Sequence, residues 1–333
     1  MSKNDIYVIA EMACSHDGNP DLARKIVDGA GLAGVDAIQL QIWSLEYMMA
    51  PSHPKYDLCK KIELSREDWA SIVEYSRKRY PKMDIYSFVY EHKSIDFVKS
   101  LGIDGYKLSS SDLSNPLVLE RVAATGKKVN LSIGASTMDE IASGIQRVRQ
   151  GSDAEITLMY GYQSFPTLIK DINLRQIGKI KEIFNLPMGY QDHCDADHPS
   201  SFWIPALAVG MGVNVIEKHI THDRSLKGVD YESALNPDEF KNFVCMMREL
   251  ESAHGEGELK EFSPEEIKYR EFQKKSVVAS RDIKAGETIK KEDVSFLRAS
   301  ELGFAPDQVA EVVDRAVICD IKAFQVIRKE YLT

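Results

Sequence analysis

Two histidines, His193 and His219, stand in the motifs GYQDHCDADHP and NVIEKHITHDRSLKGVDYE. Each follows a short β-type run, Leu186–Tyr190 before the first and Val213–Ile216 before the second. A neutral imidazole offers a nitrogen lone pair near physiological pH. Two of them at the same ends of neighbouring strands, flanked by Asp192, Glu217 and Asp223, can hold a divalent metal with positions left open for a substrate. A lone loop histidine would read as structural; the pairing and the flanking carboxylates favour ligands. The five cysteines (Cys14, Cys59, Cys194, Cys245 and Cys319) are scattered and never in C-x-x-C spacing, so they read as free thiols.

The elements that must carry these residues alternate regularly. Strand-like runs cover Asp5–Ala10, Asp36–Gln41, Asp84–Val89, Tyr106–Leu108, Lys128–Leu131, Ala154–Met159, Leu186–Tyr190 and Val213–Ile216, each followed by a helix-like segment. The first helix, Asp21–Leu32, has Leu22, Ile26, Val27 and Ala30 at helical spacing. Ser65 with Asp68 forms a capping-box signal, and Asn236 followed by Pro237 opens the last helix of the series. Between the second strand and Ser65 runs a long loop carrying Pro51 and Pro54.

Eight strand–helix units within about 250 residues predict a (β/α)8 TIM barrel. A doubly wound sheet would call for a GxGxxG after the first strand, and none is there. In such a barrel the reacting groups lie at the C-terminal strand ends, which collects Glu11, Gln41, Lys107, Ser132, Tyr160, Asp192, His193, Glu217 and His219. The barrel is assigned to residues 1–255. A polar, Glu/Lys-rich linker with one short helix follows at 256–272, then a small β-rich domain at 273–333 with the pieces SVVAS and AVICDI.

Composition narrows the function. With 333 residues, 44% hydrophobic and 28% charged, the chain has ample core for a barrel and an appendage. A formal charge of −9 without a Lys/Arg stripe argues against nucleic acid. No run approaches the ~20 apolar residues of a membrane span, and no basic-then-apolar leader opens the chain, so a cytoplasmic protein is expected.

Several motifs in order resemble the sialic acid (N-acetylneuraminate) synthase family. IAEMACSHDG is similar to that family's first-strand motif, an IAEIG run followed by NHNG. YKLSSSDLSNPLVLERVAATGKKVNLSIGAS resembles its fourth- and fifth-strand block, SFPTLIKDINL its YPTP-type motif, GYQDH with IEKHIT its metal-binding pair, and RDIKAGETIKKEDVSFLRA the start of its antifreeze-like (SAF, β-clip) domain. The chain looks like a divergent member, of the kind represented by spore coat polysaccharide biosynthesis protein E.

The resemblance implies condensation of phosphoenolpyruvate with an N-acetylated aldose to a nonulosonic acid plus phosphate, for surface polysaccharide. It implies that His193 and His219 bind Mn2+ or Mg2+, that Lys107, Ser110 and Ser132 hold the donor's phosphate and carboxylate, and that Gln41 and Asp230 hydrogen-bond the sugar. Glu11 and Glu217 are the candidate catalytic carboxylates. Arg298 would reach a partner chain's site in a dimer with exchanged C-terminal domains. Gln39 stands where the family usually has a lysine. Phe88 replaces a usual hydroxyl residue, Gln163 and Phe165 an Asn and a Tyr, and Gln191 a Ser before the DH pair. The acceptor sugar and the identity of the donor therefore stay open. Two other readings are a Schiff-base pyruvate aldolase using Lys107 or Lys218, and a non-catalytic sugar-phosphate binder on a decayed synthase scaffold.

Overall fold

A computed structural model describes residues 6–255 and 261–333. Asp5 of the expected first strand and the opening five residues of the expected linker lie outside it. The chain divides into two compact units, Met1–Glu256 and Gly257–Thr333.

In the first unit eight parallel strands close into a barrel in sequential order. They are β1 (Tyr7–Glu11), β2 (Ala37–Gln41), β3 (Asp84–Val89), β4 (Gly105–Leu108), β5 (Lys128–Ser132), β6 (Ile156–Tyr160), β7 (Met188–Asp192) and β8 (Val215–His219). The helices around them are α1 (Pro20–Ala33), α2 (Leu45–Met48), α3 (Tyr56–Ile62), α4 (Arg66–Arg79), α5 (Ile95–Ser100), α6 (Pro116–Ala123), α7 (Met138–Gly151), α8 (Arg175–Phe184), α9 (Ser200–Gly210) and α10 (Pro237–His254). Helix starts follow local chemistry. Asn19 accepts from Asp21 N with Pro20 in the first turn of α1. Ser65 and Asp68 exchange bonds across the start of α4, and Glu239 accepts from Asn236 N at the start of α10.

Alternation along each strand sorts side chains into two environments. Outward positions such as Val8, Ala10, Ile38 and Leu40 join Ile26, Val27 and Ala30 of α1 in the main core between sheet and helices. Inward positions fill the barrel by pairing large residues with none. A Cβ on Gly105 would come within 2.3 Å of the Tyr86 ring in the next strand, and one on Gly189 within 2.2 Å of Met159 Sδ. The lower barrel is thereby plugged, and the open space lies above it at the C-terminal ends.

The strands run further than their apolar runs suggest. β1, β5, β7 and β8 continue through Glu11, Ser132, Asp192 and His219, so His219 is the last residue of its strand and not a loop residue. Ladder hydrogen bonds do not require apolar side chains, and Glu11, Ser132 and Asp192 are paired within the protein. The Pro51/Pro54 segment holds the short helices α2 and α3.

The second unit has its own core of Val277, Ala279, Ile283, Ile289, Val312, Val317, Ile321 and Ile327. It begins with α11 (Pro264–Gln273), the short helix expected in the linker, followed by β9 (Lys275–Ala279) and β10 (Val294–Arg298), paired antiparallel. The expected β-type piece AVICDI is not a strand. Its residues form single bridges, Ala316 to Thr288, Val317 to Leu332 and Ile321 to Ile283. Among the described residues no helix is long and apolar enough to cross a membrane.

Candidate active site

A cavity of about 390 Å3 opens at the C-terminal mouth of the barrel. Eight of the ten sequence candidates line it: Glu11, Gln41, Ser110, Ser132, His193, Glu217, His219 and Asp230. Lys107 lies at its floor, fully buried, bound to two of the lining side chains. Arg298 belongs to the other unit, at the end of β10, with its side chain exposed.

The floor is one hydrogen-bonded network. Lys107 Nζ forms an ion pair with Glu217 and donates to Gln191 Oε1 at 2.9 Å, and Ser132 Oγ donates to the same oxygen at 2.6 Å. The ammonium also lies 5.6 Å from the Phe88 ring centroid, within cation–π range. Gln191 therefore ties the two proposed donor-binding groups together. Its bulk is admitted by Gly161, where a Cβ would meet Gln191 Cγ at 2.2 Å. Lys107 does not pair with Asp112, which instead accepts from Asn115.

Glu11 is 2% exposed. Its Oε1 accepts from Ala13 N at 2.7 Å and from Gln41 Nε2 at 3.0 Å, and Gln39 Nε2 donates to Oε2. These amides, rather than Lys25, are its partners. Gln39 supplies a hydrogen bond but no charge, so the positive charge acting on Glu11 is that of Lys107, which is also paired with Glu217. Burial first, and the Glu217 carboxylate second, push the Glu11 pKa up to about 8 against the pull of Lys107.

The folded state therefore holds a proton on Glu11 that the unfolded chain releases near its ordinary value of 4.5. Stability from this group is fully present below that value and is lost as pH rises through about 8. We expect Glu11→Gln to lose less stability than the parent between pH 5 and 8 in urea unfolding. Gln39 can turn its amide over to accept from the new side chain. Equal slopes for the two proteins would show that Glu11 is not the group responsible.

The imidazoles of His193 and His219 face one another with ring centroids 5.3 Å apart. His193 Nδ1 lies 2.9 Å from Tyr162 O, which fixes the Nδ1–H tautomer and leaves the Nε2 lone pair free. His219 Nδ1 is buried without a hydrogen-bond partner. Burial first, then the neighbouring imidazole for His193 and the Lys218 ammonium for His219, lower both pKa values to about 4. Both rings are neutral at pH 7, as ligands must be. Among the described residues no cluster of three or more His, Cys, Asp or Glu side chains assembles. The chain offers two nitrogens, and other positions would fall to water or substrate.

Two of the flanking carboxylates named from sequence are placed elsewhere. Asp192 points outward from β7, fully buried, ion-paired to Lys218 and accepting from Tyr190 Oη. Asp223 caps the short 3-10 turn Arg224–Leu226. Period-two alternation places 189 and 191 inward and 190 and 192 outward, so extending β7 to Asp192 would have predicted this. Asp230 keeps its place on the cavity wall, with Oδ2 accepting from Cys14 N at 3.2 Å, and burial raises its pKa. The sequence reading did not foresee the part of the wall built by Trp43, Met48, Met49, Leu58 and Ile62.

Comparison with known proteins places the chain. Residues 26–259 match the NeuB family and residues 274–333 the SAF domain. An uncharacterised protein of Methanocaldococcus jannaschii is 34% identical over 88% of this chain and 84% of its own length. The N,N'-diacetyllegionaminic acid synthase of Legionella pneumophila is 30% identical over 98% and 94%. The crystal structure of a sialic acid synthetase from Leptospira borgpetersenii, in complex with citrate, aligns with a TM-score of 0.72 at 29% identity, covering 80% of this chain and 91% of that one. With its sequential eight-stranded barrel, its cavity and its C-terminal SAF domain, the chain is an enzyme that belongs to the NeuB family.

Proposed function

We propose that the barrel condenses phosphoenolpyruvate with the open-chain form of an N-acetylated amino sugar, giving a nonulosonic acid and phosphate for surface polysaccharide. The observation that carries this reading is the cavity itself. It brings two neutral imidazoles, His193 directly after β7 and His219 at the end of β8, into one space with the hydroxyls of Ser110 after β4 and Ser132 at the end of β5, above the Lys107 ammonium. The relatives named as legionaminic and sialic acid synthases support the same chemistry.

Lys107, Ser110 and Ser132 bind the donor's phosphate and carboxylate, a cation with hydroxyl donors being suited to that anion. Gln41 and Asp230 hold sugar hydroxyls. The enol carbon of the donor attacks the sugar aldehyde carbon. Glu11, protonated at neutral pH, donates to the carbonyl oxygen as that bond forms and recovers a proton when water adds at the carboxyl-bearing carbon. Glu217 holds Lys107 in place as phosphate departs with C–O cleavage. Bound at His193 and His219, Mn2+ or Mg2+ would supply Lewis-acid polarisation of the aldehyde. Alignment of two substrates on one face is worth up to roughly 7–11 kcal/mol of barrier.

A Schiff-base mechanism is less well served by these residues. Lys218 faces away from the cavity in its ion pair with Asp192, and Lys107 is bound to Glu217. A non-catalytic binder would have no use for the neutral imidazole pair. The same proposal includes a homodimer in which Arg298 of one chain serves the other's cavity, and a cytoplasmic location where phosphoenolpyruvate is at hand.

The test is phosphate release from phosphoenolpyruvate against a panel of N-acetylated aldoses, with Mn2+ or Mg2+ and with chelator. Release that needs both one sugar and the metal is expected. Release without a sugar, or none with any sugar, would overturn the reading.

A further inference from the structure

The third strand ends in an aromatic pair that the scheme above leaves unused. Period-two alternation turns Tyr86, Phe88 and Tyr90, the residue after β3, toward the barrel interior. The ladder sets Phe88 level with Gln41 of β2 on one side and Lys107 of β4 on the other. Tyr90 lies on Phe88 in a stack, with ring centroids 4.3 Å apart and planes 20° from parallel. Its ring also packs on the separate apolar cluster of Trp43, Leu45 and Ile62. Stacking and packing fix the ring and leave its hydroxyl to the cavity that Tyr90 lines.

That hydroxyl has no hydrogen-bond partner among the described residues. Tyr106 Oη is also unpartnered, but it is sealed in the main core, whereas Tyr90 opens on the cavity. Burial first, then Cys14, Glu11, Asp230 and Glu217, hold the Tyr90 pKa well above its ordinary value. The phenol is therefore an O–H donor at neutral pH. The acceptors around it are already engaged. Glu11 takes bonds from Ala13 N, Gln39 and Gln41, Asp230 takes one from Cys14 N, and Glu217 pairs with Lys107. A donor left over in a partly desolvated site is one that a ligand oxygen can satisfy.

Direction decides which ligand. Phe88 faces the half that binds the enolpyruvyl donor, with the Lys107 ammonium 5.6 Å from its ring centroid. The groups acting on the Tyr90 hydroxyl, led by Cys14, Glu11 and Asp230, border the other half, where Cys14 Sγ meets Gln41 Oε1. Resting on the synthase reading above, we infer that Tyr90 is an acceptor-binding residue, its Oη donating to an oxygen of the amino sugar beside Gln41 and Glu11. Because the ring is already held, the bond orients the sugar without ordering a flexible side chain.

Tyr90→Phe removes the hydroxyl and keeps the stack. With the full-length chain, Mn2+, phosphoenolpyruvate and the aldose that supports release, kcat/KM for the sugar should fall about tenfold. The KM for phosphoenolpyruvate and the urea unfolding midpoint should stay at the parent's values, which a merely structural role for the hydroxyl would not allow. A parental kcat/KM for the sugar overturns the inference, and so does an equal loss of affinity for phosphoenolpyruvate. Should the parent release no phosphate with any sugar, the synthase reading is what has failed, and calorimetric titration of N-acetylmannosamine into both proteins decides the inference separately. Binding about tenfold weaker to Tyr90→Phe supports it. Equal binding to the two proteins, or none to the parent, overturns it.

Discussion

Replacing His193 with alanine should remove the metal-dependent part of phosphate release while leaving the barrel folded. The ring is held by one backbone contact, Nδ1 to Tyr162 O, and lies tilted against Phe165 with centroids 4.3 Å apart. It carries no part of the main hydrophobic core. Its loss therefore costs little packing, and unfolding midpoints should stay close to the parent's. Lewis-acid stabilisation is worth several kcal/mol, and a loss of about 4 kcal/mol corresponds to about three orders of magnitude in rate. His219→Ala should behave alike. The double variant should be no slower than either single one, because two ligands of one ion act as a unit. Metal content measured on the purified variants should fall together with the rate. A His193→Ala protein with parental rate and metal content would remove the central claim.

The barrel was legible in the sequence because two independent signals agree at almost every element. Outward strand positions are apolar at period two, and helices open with capping pairs such as Ser65 with Asp68 and Pro20 after Asn19. What the apolar pattern could not give is where strands end. Glu11, Ser132, Asp192 and His219 are polar because they face the cavity or pair across the wall, so the hydrophobic signal stops one to three residues before the ladder does. Glu11, Ser132 and His219 among them line the cavity, the kind of place where local patterning is expected to yield to chemistry.

The candidate residues were legible by type and strand position, but their partners were not. Nothing in the order of residues says that Lys107 meets Glu217 110 positions away, or that Gln191 holds both Lys107 and Ser132. Asp192 was misread for the same reason: beside a histidine it looked like part of the site, yet alternation turns it outward, where it pairs with Lys218, the lysine that only the Schiff-base reading had called on. The lobe between β2 and α4 read only as a loop with two prolines. Its apolar residues form contacts with Cys14 and Val229, far off in sequence, and α2 and α3 are too short to show periodicity.

Arg298 provides the other large expected effect, and it is a gain. Alone, Arg298→Ala should lower kcat/KM by about ten- to a hundredfold through loss of a charge-assisted contact, while His193→Ala is nearly inactive. The two chains can be co-expressed with different tags and the heterodimer isolated through both. If each Arg298 serves the opposite barrel, one of the two cavities combines the intact barrel of the Arg298→Ala chain with the intact arginine of the His193→Ala chain. The other cavity collects both defects. The heterodimer should then recover about half the parental activity per dimer, because an exchanged element in a two-fold assembly leaves one complete site. If Arg298 instead serves its own barrel, each cavity holds one defect and the heterodimer stays no more active than the mean of its parents. Should only single chains be recovered through either tag, the exchanged dimer itself is excluded. In all three cases the light-scattering mass of the purified species fixes which assembly was assayed, so activity and architecture are read from one preparation.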